Sequence, residues 1–116
     1  MRIGFDAKRA FHNNTGLGNY SRTLIRSVAT FFPEHQYFLY APTLPRSQKT
    51  EFFFQQKLPL RKAPSFVPAA LWRSRLIVPQ LANDRLDIFH GLSHELPIGL
   101  DKTAIRSVVT VHDLIF

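Results

Sequence analysis

Cysteine is absent from the 116 residues, methionine and tryptophan occur once each, and glycine only five times. Without thiols there is no disulfide framework and no cysteine metal site, a composition that suits a reducing compartment. No apolar run approaches the ~18 residues of a membrane span, and the opening Met1-Arg2-Ile3-Gly4-Phe5-Asp6 has no signal-peptide pattern. A soluble, cytoplasmic chain is the expectation. Acids are scarce too, with eight Asp and Glu against fifteen Lys and Arg, for a net charge of +7. What is present is a 45% hydrophobic, 20% charged composition, that of a globular domain and not of a disordered chain. The length predicts one domain with a modest core.

The positive charge is regional. Between Leu44 and Gln80 stand Arg46, Lys49, Lys57, Arg61, Lys62, Arg73 and Arg75 against Glu51 alone, which places a net +6 of the +7 in one window. Six of the eight prolines lie between Pro42 and Pro79, so the same window is expected to be the least regular part of the chain.

Alternation over Arg2–Ala7 predicts a first strand. Phe11–Thr15 is polar and turn-forming. Leu17, Tyr20, Leu24, Val28 and Phe31 recur at helical spacing over Gly16–Phe32, with Asn14 or Thr15 available as cap and Pro33 as stop. Gln36–Ala41 reads as a second strand, and Glu51–Leu58 as a short third. Ala69–Leu81 is helix-like, with Pro79 expected to kink or break it. Leu86–His90 and Ser107–His112 read as strands whose near-continuous apolar runs suit a parallel sheet covered on both faces. The crossover between them has no strong helical period. The pattern predicts an α/β fold, with an open, mostly parallel sheet flanked by helices.

Three stretches carry chemistry. Gly16-Leu17-Gly18-Asn19-Tyr20-Ser21 is half of a dinucleotide fingerprint: two glycines allow close backbone approach, and the first N–H groups of a helix attract phosphate. Ser21 stands where a third glycine belongs, and about eight residues separate the turn from the strand, so a hydride-transfer cofactor is not expected. The glycines can equally serve only to shape a loop. His90-Gly91 and His94-Glu95 follow a strand, where open parallel sheets bind ligands. They suit a hydroxylated substrate, or, for His94 and Glu95, a solvated loop face. Spacing of four faces two histidines together only on a helix, and Gly91 and Pro97 argue for a loop, so no metal is expected. His112-Asp113 ends the last strand. A histidine there can serve as base, acid or phosphate partner near neutral pH, or sit satisfied in the core.

In this order and spacing, RIGFDAKRAFHNNTGLGNYSRTLI, DIFHGLSHELP and VVTVHDLIF resemble the N-terminal half of a retaining glycosyltransferase of family 4, in its bacterial mannosyltransferase-like branch. The resemblance covers nearly the whole chain and is weakest over Pro42–Pro68. It implies the GT-B architecture, two Rossmann-like domains facing across a cleft, with residues 1–116 forming the acceptor-side domain. Gly16, Gly18, Asn19 and Tyr20 would then approach the donor phosphates or sugar. His112 matches the histidine beside the transferred sugar, accompanied by Asp113. His90 with Gly91, and less firmly His94 with Glu95, match the acceptor side. The donor is a nucleotide-sugar and the acceptor a glycan or lipid-linked glycan of polysaccharide or lipopolysaccharide assembly, with no cofactor and no metal. The glutamate motif and basic residues that stabilise a departing diphosphate belong to the C-terminal domain, outside this chain, so residues 1–116 alone are expected to be inactive.

The basic window over 46–75 has a second candidate role. Its Lys and Arg are interleaved with Phe52, Phe53, Phe54, Phe66, Leu71 and Trp72, which suits peripheral contact with an anionic membrane at the inner face of the plasma membrane. The alternative is a basic loop region whose aromatics fill the core. A small nucleic-acid-binding protein is the competing function, disfavoured by confinement of the charge to a proline-rich window and by the lack of any nucleic-acid-binding signature, so no nucleic-acid partner is expected. A non-catalytic carbohydrate- or nucleotide-binding module is the third.

Overall fold

The computed structural model describes residues 1–92 and 95–110. Its centre is a five-stranded sheet in which β1 (Arg2–Asp6), β2 (Gln36–Ala41), β3 (Leu60–Lys62), β4 (Ile88–Gly91) and β5 (Arg106–Val109) are all parallel, in the order β3-β2-β1-β4-β5. The chain therefore steps outward from β1 to β3, then returns across β1 to lay down β4 and β5. The reversal makes the gap between the carboxyl ends of β1 and β4 a topological switch point.

Side chains alternate across this sheet and build two cores. Phe5, Tyr37, Leu39 and Ala41 face one way, onto helices α1 (Lys8–His12), α2 (Gly16–Phe31) and α3 (Glu51–Gln55), where Ala10, Phe11, Ile25 and Phe53 are buried. Phe38, Tyr40 and Phe89 face the other way, onto Trp72, Ile77, Leu81 and Leu100. These last belong to a helical segment made of α4 (Ala69–Leu71), a π turn (Trp72–Leu76) and α5 (Ile77–Asn83), and to a 3₁₀ turn at Leu100–Lys102. Helices thus cover both faces, as an all-parallel sheet requires.

Several expectations are corrected by packing. Residues Glu51–Gln55 form a helix, not a strand, although Phe52, Phe53 and Phe54 favour strands in isolation. Thr50 is fully buried, and its hydroxyl accepts from the Ser47 N–H and donates to the Pro45 carbonyl, so the chain enters this segment already turning. One helical turn then sends Phe53 into the core, and Lys57, with φ 54°, ends it in a left-handed conformation. The residues read as a turn from Phe11 begin within α1, a helix too short to show a period. The short strand β3 follows Pro59 and is likewise too brief to signal itself.

Helix α2 is placed as its spacing predicts but rotated. Gly18, Ser21 and Ile25 form its buried line, whereas Tyr20 and Phe31 are exposed. Small residues on the buried line let the helix lie close to its neighbours. The segment over Ala69–Asn83 stays helical through Pro79. This proline lacks the N–H that would reach the Arg75 carbonyl, and the widened turn just before it absorbs the mismatch, with the Ile77 N–H bonding back to the Trp72 carbonyl. Strand β5 is less covered than its apolar residues suggest: Val108 and Val109 are both exposed on the edge of the described sheet.

Candidate functional site

Four of the sequence-predicted site residues, Gly16, Gly18, Asn19 and Tyr20, lie at the start of α2. The side-chain oxygen of Asn13 accepts from the Thr15 N–H (2.8 Å), the Thr15 hydroxyl (2.6 Å) and the Gly18 N–H (3.1 Å). Capping therefore falls to Asn13 and not to Asn14 or Thr15, because its side chain reaches an N–H inside the first turn. Gly18 is fixed by close approach: a Cβ there would lie 1.9 Å from the Asn13 carbonyl oxygen. A Cβ at Gly16 would meet nothing within 4 Å. Arg22 ties the corner together, donating to the carbonyls of Ala10 (3.0 Å) and Asn13 (2.7 Å) and to the Asn19 side chain (2.5 Å). Thus Gly18 and Asn19 are engaged in holding α1 to α2, while Gly16 and Tyr20 face outward.

At the exit of β4 the predicted residues divide. His90 points to the α2 side of the sheet, its ring 5.6 Å from that of Phe5 and its Nε2 within 2.6 Å of the Thr110 hydroxyl. Burial pushes its pKa below the ordinary histidine value, so the ring is neutral at pH 7. It lines a mainly apolar groove of about 320 Å³ with Phe5, Val28, Ile88 and Val108. Gly91 is required by close approach, since a Cβ there would come within 2.2 Å of the Glu95 carbonyl oxygen. The exposed Glu95 lies on the opposite side of the sheet. His94, His112 and Asp113 lie outside the described residues.

Two residues that the motifs did not single out as a site lie at the switch point. Asp6, the last residue of β1, accepts from Arg73 Nη2 at 2.7 Å, with side-chain exposures of 12% and 17%. Its other oxygen lies 3.3 Å from the Lys8 N–H. Both residues line a cavity of about 300 Å³ whose floor is Trp72, Ile77 and Phe89 and whose rim carries Glu95 and Ile98. The signal available in the sequence was an acid closing an apolar strand, in Ile3-Gly4-Phe5-Asp6. Its partner, 67 positions away in an irregular window, had no local signal.

The basic window is partly neutralised. Arg46 pairs with Glu51 (2.6 Å), Arg61 with Asp84 (3.2 Å) and Arg73 with Asp6. Its aromatics are mostly structural: Phe53 and Trp72 are buried, and Phe52 and Phe54 pack against the core. Phe66, 88% exposed, and Leu71, 44% exposed, remain at the surface. Among the described residues no helix is long and apolar enough to cross a membrane, and no group of three or more His, Asp or Glu is disposed to hold a metal ion.

No family model, curated protein or solved structure matches this chain.

Proposed function

We propose that residues 1–116 form the Rossmann-like acceptor-side domain of a sugar-nucleotide-dependent glycosyltransferase of the GT-B type. One observation carries the reading. The three stretches that resemble such enzymes begin on β1, β4 and β5, and these are adjacent parallel strands. Segments far apart in sequence therefore leave the sheet side by side at one edge, where an open α/β sheet binds its ligand.

In this reading the edge is one wall of a cleft. His112 and Asp113 follow β5 and serve the transferred sugar. The Gly16–Tyr20 corner approaches the donor, with outward-facing Gly16 offering unobstructed backbone. Glu95 and Gly91 belong to the acceptor side. A second domain supplies the positive charge for the diphosphate leaving group, and transfer by the 116 residues alone is not expected. Peripheral membrane contact, where a lipid-linked acceptor would reside, narrows to Phe66 and Leu71 with the exposed Lys62 and Arg75, each four positions away along the chain.

The test is a transfer assay on the product of the whole reading frame, with nucleotide-sugars and a lipid-linked glycan acceptor. Continuation of the frame past Phe116 into a second α/β domain, and a strong loss of turnover in His112→Ala with folding intact, would support the reading. A stop codon directly after Phe116, or unchanged turnover in the variant, would sink it.

A further inference from the structure

The cavity at the switch point has features that the cleft reading alone does not explain. Arg73 offers five N–H donors, and one amino group is committed to Asp6. Its Nε is fully buried and has no hydrogen-bond partner among the described residues. A buried cationic donor left unpaired is costly, so the guanidinium is held in this wall at the expense of one unmade hydrogen bond. Asp6 keeps acceptor capacity beyond its contacts with Arg73 and Lys8, because a carboxylate offers about four lone-pair sites.

The wall on this side is the π turn itself, which contributes Trp72, Arg73 and Ser74 in succession. Such turns are rare and occur frequently at functional sites. This one is fixed in place, for the Ser74 carbonyl accepts the Ile98 N–H at 2.6 Å.

Charge and shape then select the ligand. Asp6 already neutralises Arg73, and Glu95 adds a further negative charge at the rim, so a free anion is disfavoured. A neutral molecule carrying both donors and acceptors can give hydroxyls to Asp6 and Glu95 and accept from the part of the Arg73 guanidinium that lines the cavity. The apolar lining from Ile77 in the floor and Ile98 at the rim suits a C–H face. We infer that this cavity is a saccharide subsite, in which Asp6 and Arg73 grip adjacent ring hydroxyls and Glu95 closes over a third. The choice of a sugar among polyhydroxyl ligands rests on the transferase reading; the site itself rests on the geometry.

The experiment follows the arginine Nε–H signals of the ¹⁵N-labelled 116-residue chain by NMR, with the Arg73 signal assigned through Arg73→Lys. The probes are methyl α-D-glucopyranoside, methyl α-D-mannopyranoside and inorganic phosphate. A saturable shift of the Arg73 signal by either glycoside, at concentrations on the order of 10 mM, is the expected result. Glu95→Gln, at an exposed position, should weaken that binding roughly threefold or more and keeps the test alive if Arg73→Lys does not fold. A response to phosphate without one to the glycosides would overturn the proposal in favour of an anion site. No response to any probe, or glycoside binding indifferent to Glu95→Gln, would overturn it as well. Saccharide binding by a whole protein that transfers no sugar would remove the transferase reading and leave this site standing. Transfer with an acceptor KM unmoved by Glu95→Gln would do the reverse.

Discussion

Arg73 reaches Asp6 across 67 positions of sequence to make a 2.7 Å charge-assisted hydrogen bond at the carboxyl end of the central strand. Both side chains are largely withdrawn from water, so neither charge is solvated without the other. Asp6→Ala is expected to destabilise the domain by about 3 kcal/mol, because it strands a desolvated guanidinium. Replacing the pair together, as Asp6→Leu with Arg73→Met, should recover most of that loss. Urea midpoints of the three proteins measure both effects, and a double variant no more stable than Asp6→Ala would refute the stranded-charge account.

The two glycines of the α2 corner should respond in opposite directions. Gly18→Ala sets a methyl group 1.9 Å from the Asn13 carbonyl oxygen, so backbone must move, and a loss of about 2 kcal/mol or more is expected. Gly16→Ala meets open space at the first residue of the helix and should be neutral or stabilising by roughly 0.5 kcal/mol. Thermal melts of the two variants would separate a glycine required by packing from one that packing leaves free.

Asn13→Ala removes an acceptor used by three donors and should cost about 1–2 kcal/mol, whereas Asn13→Asp keeps the oxygen and adds a favourable charge near the helix N-terminus. Chemical denaturation that left Asn13→Ala as stable as the parent would assign the cap elsewhere.

For His90 the sign of the pH effect follows from burial. Its folded pKa is depressed, so on acidification the unfolded chain takes up the proton first, near the ordinary value of ~6.5. The contribution of neutral His90 is complete above that pH and is lost as pH falls toward the lower folded pKa. Between pH 7.5 and 5 the parent should lose more thermal stability than His90→Gln, which does not titrate. Parallel Tm curves for the two proteins would refute the assignment.

Within the basic window, Phe53 and Phe66 should divide stability from surface contact. Phe53→Ala opens a cavity in a packed core and is expected to cost about 3–5 kcal/mol. Phe66→Ser should leave stability within about 0.5 kcal/mol and reduce co-sedimentation with anionic vesicles, in a salt-sensitive manner. Vesicle binding unchanged by Phe66→Ser, or equal on neutral vesicles, would remove the membrane role.

The elements legible in sequence were those long enough to repeat a pattern. β1, α2 and β2 lie within a residue or so of their predicted spans, and β4 is where Leu86–His90 placed it, displaced by one or two residues. α1, β3 and the helical form of Glu51–Gln55 were not legible, because each spans at most five residues and is decided by what lies around it. Thr50 buried against Pro45 and Ser47 overrides the strand preference of three phenylalanines in a row. The same limit applies to the site. The Gly16–Gly18 and His90–Glu95 stretches announce themselves through residue type, but Asp6 and Arg73 become a pair only after the chain returns across β1. The face of α2 was misread for a related reason: Gly18 and Ser21 carry almost no hydrophobic signal, yet smallness is what allows that face to be buried.

The sheet order also sets a timetable for synthesis. The central strand emerges first and meets β2 soon after, through pairs such as Phe5 with Leu39, but its other edge waits for Ile88–Gly91. At ~5–20 residues per second, the intervening segment takes a few seconds to translate. Throughout that interval Ile3 to Asp6 present an unpaired apolar edge, and any product that stops before β4 keeps it. The strand that anchors the finished domain is therefore also its chief liability on the ribosome, and chaperone capture should be strongest for chains halted between Ala41 and Ile88.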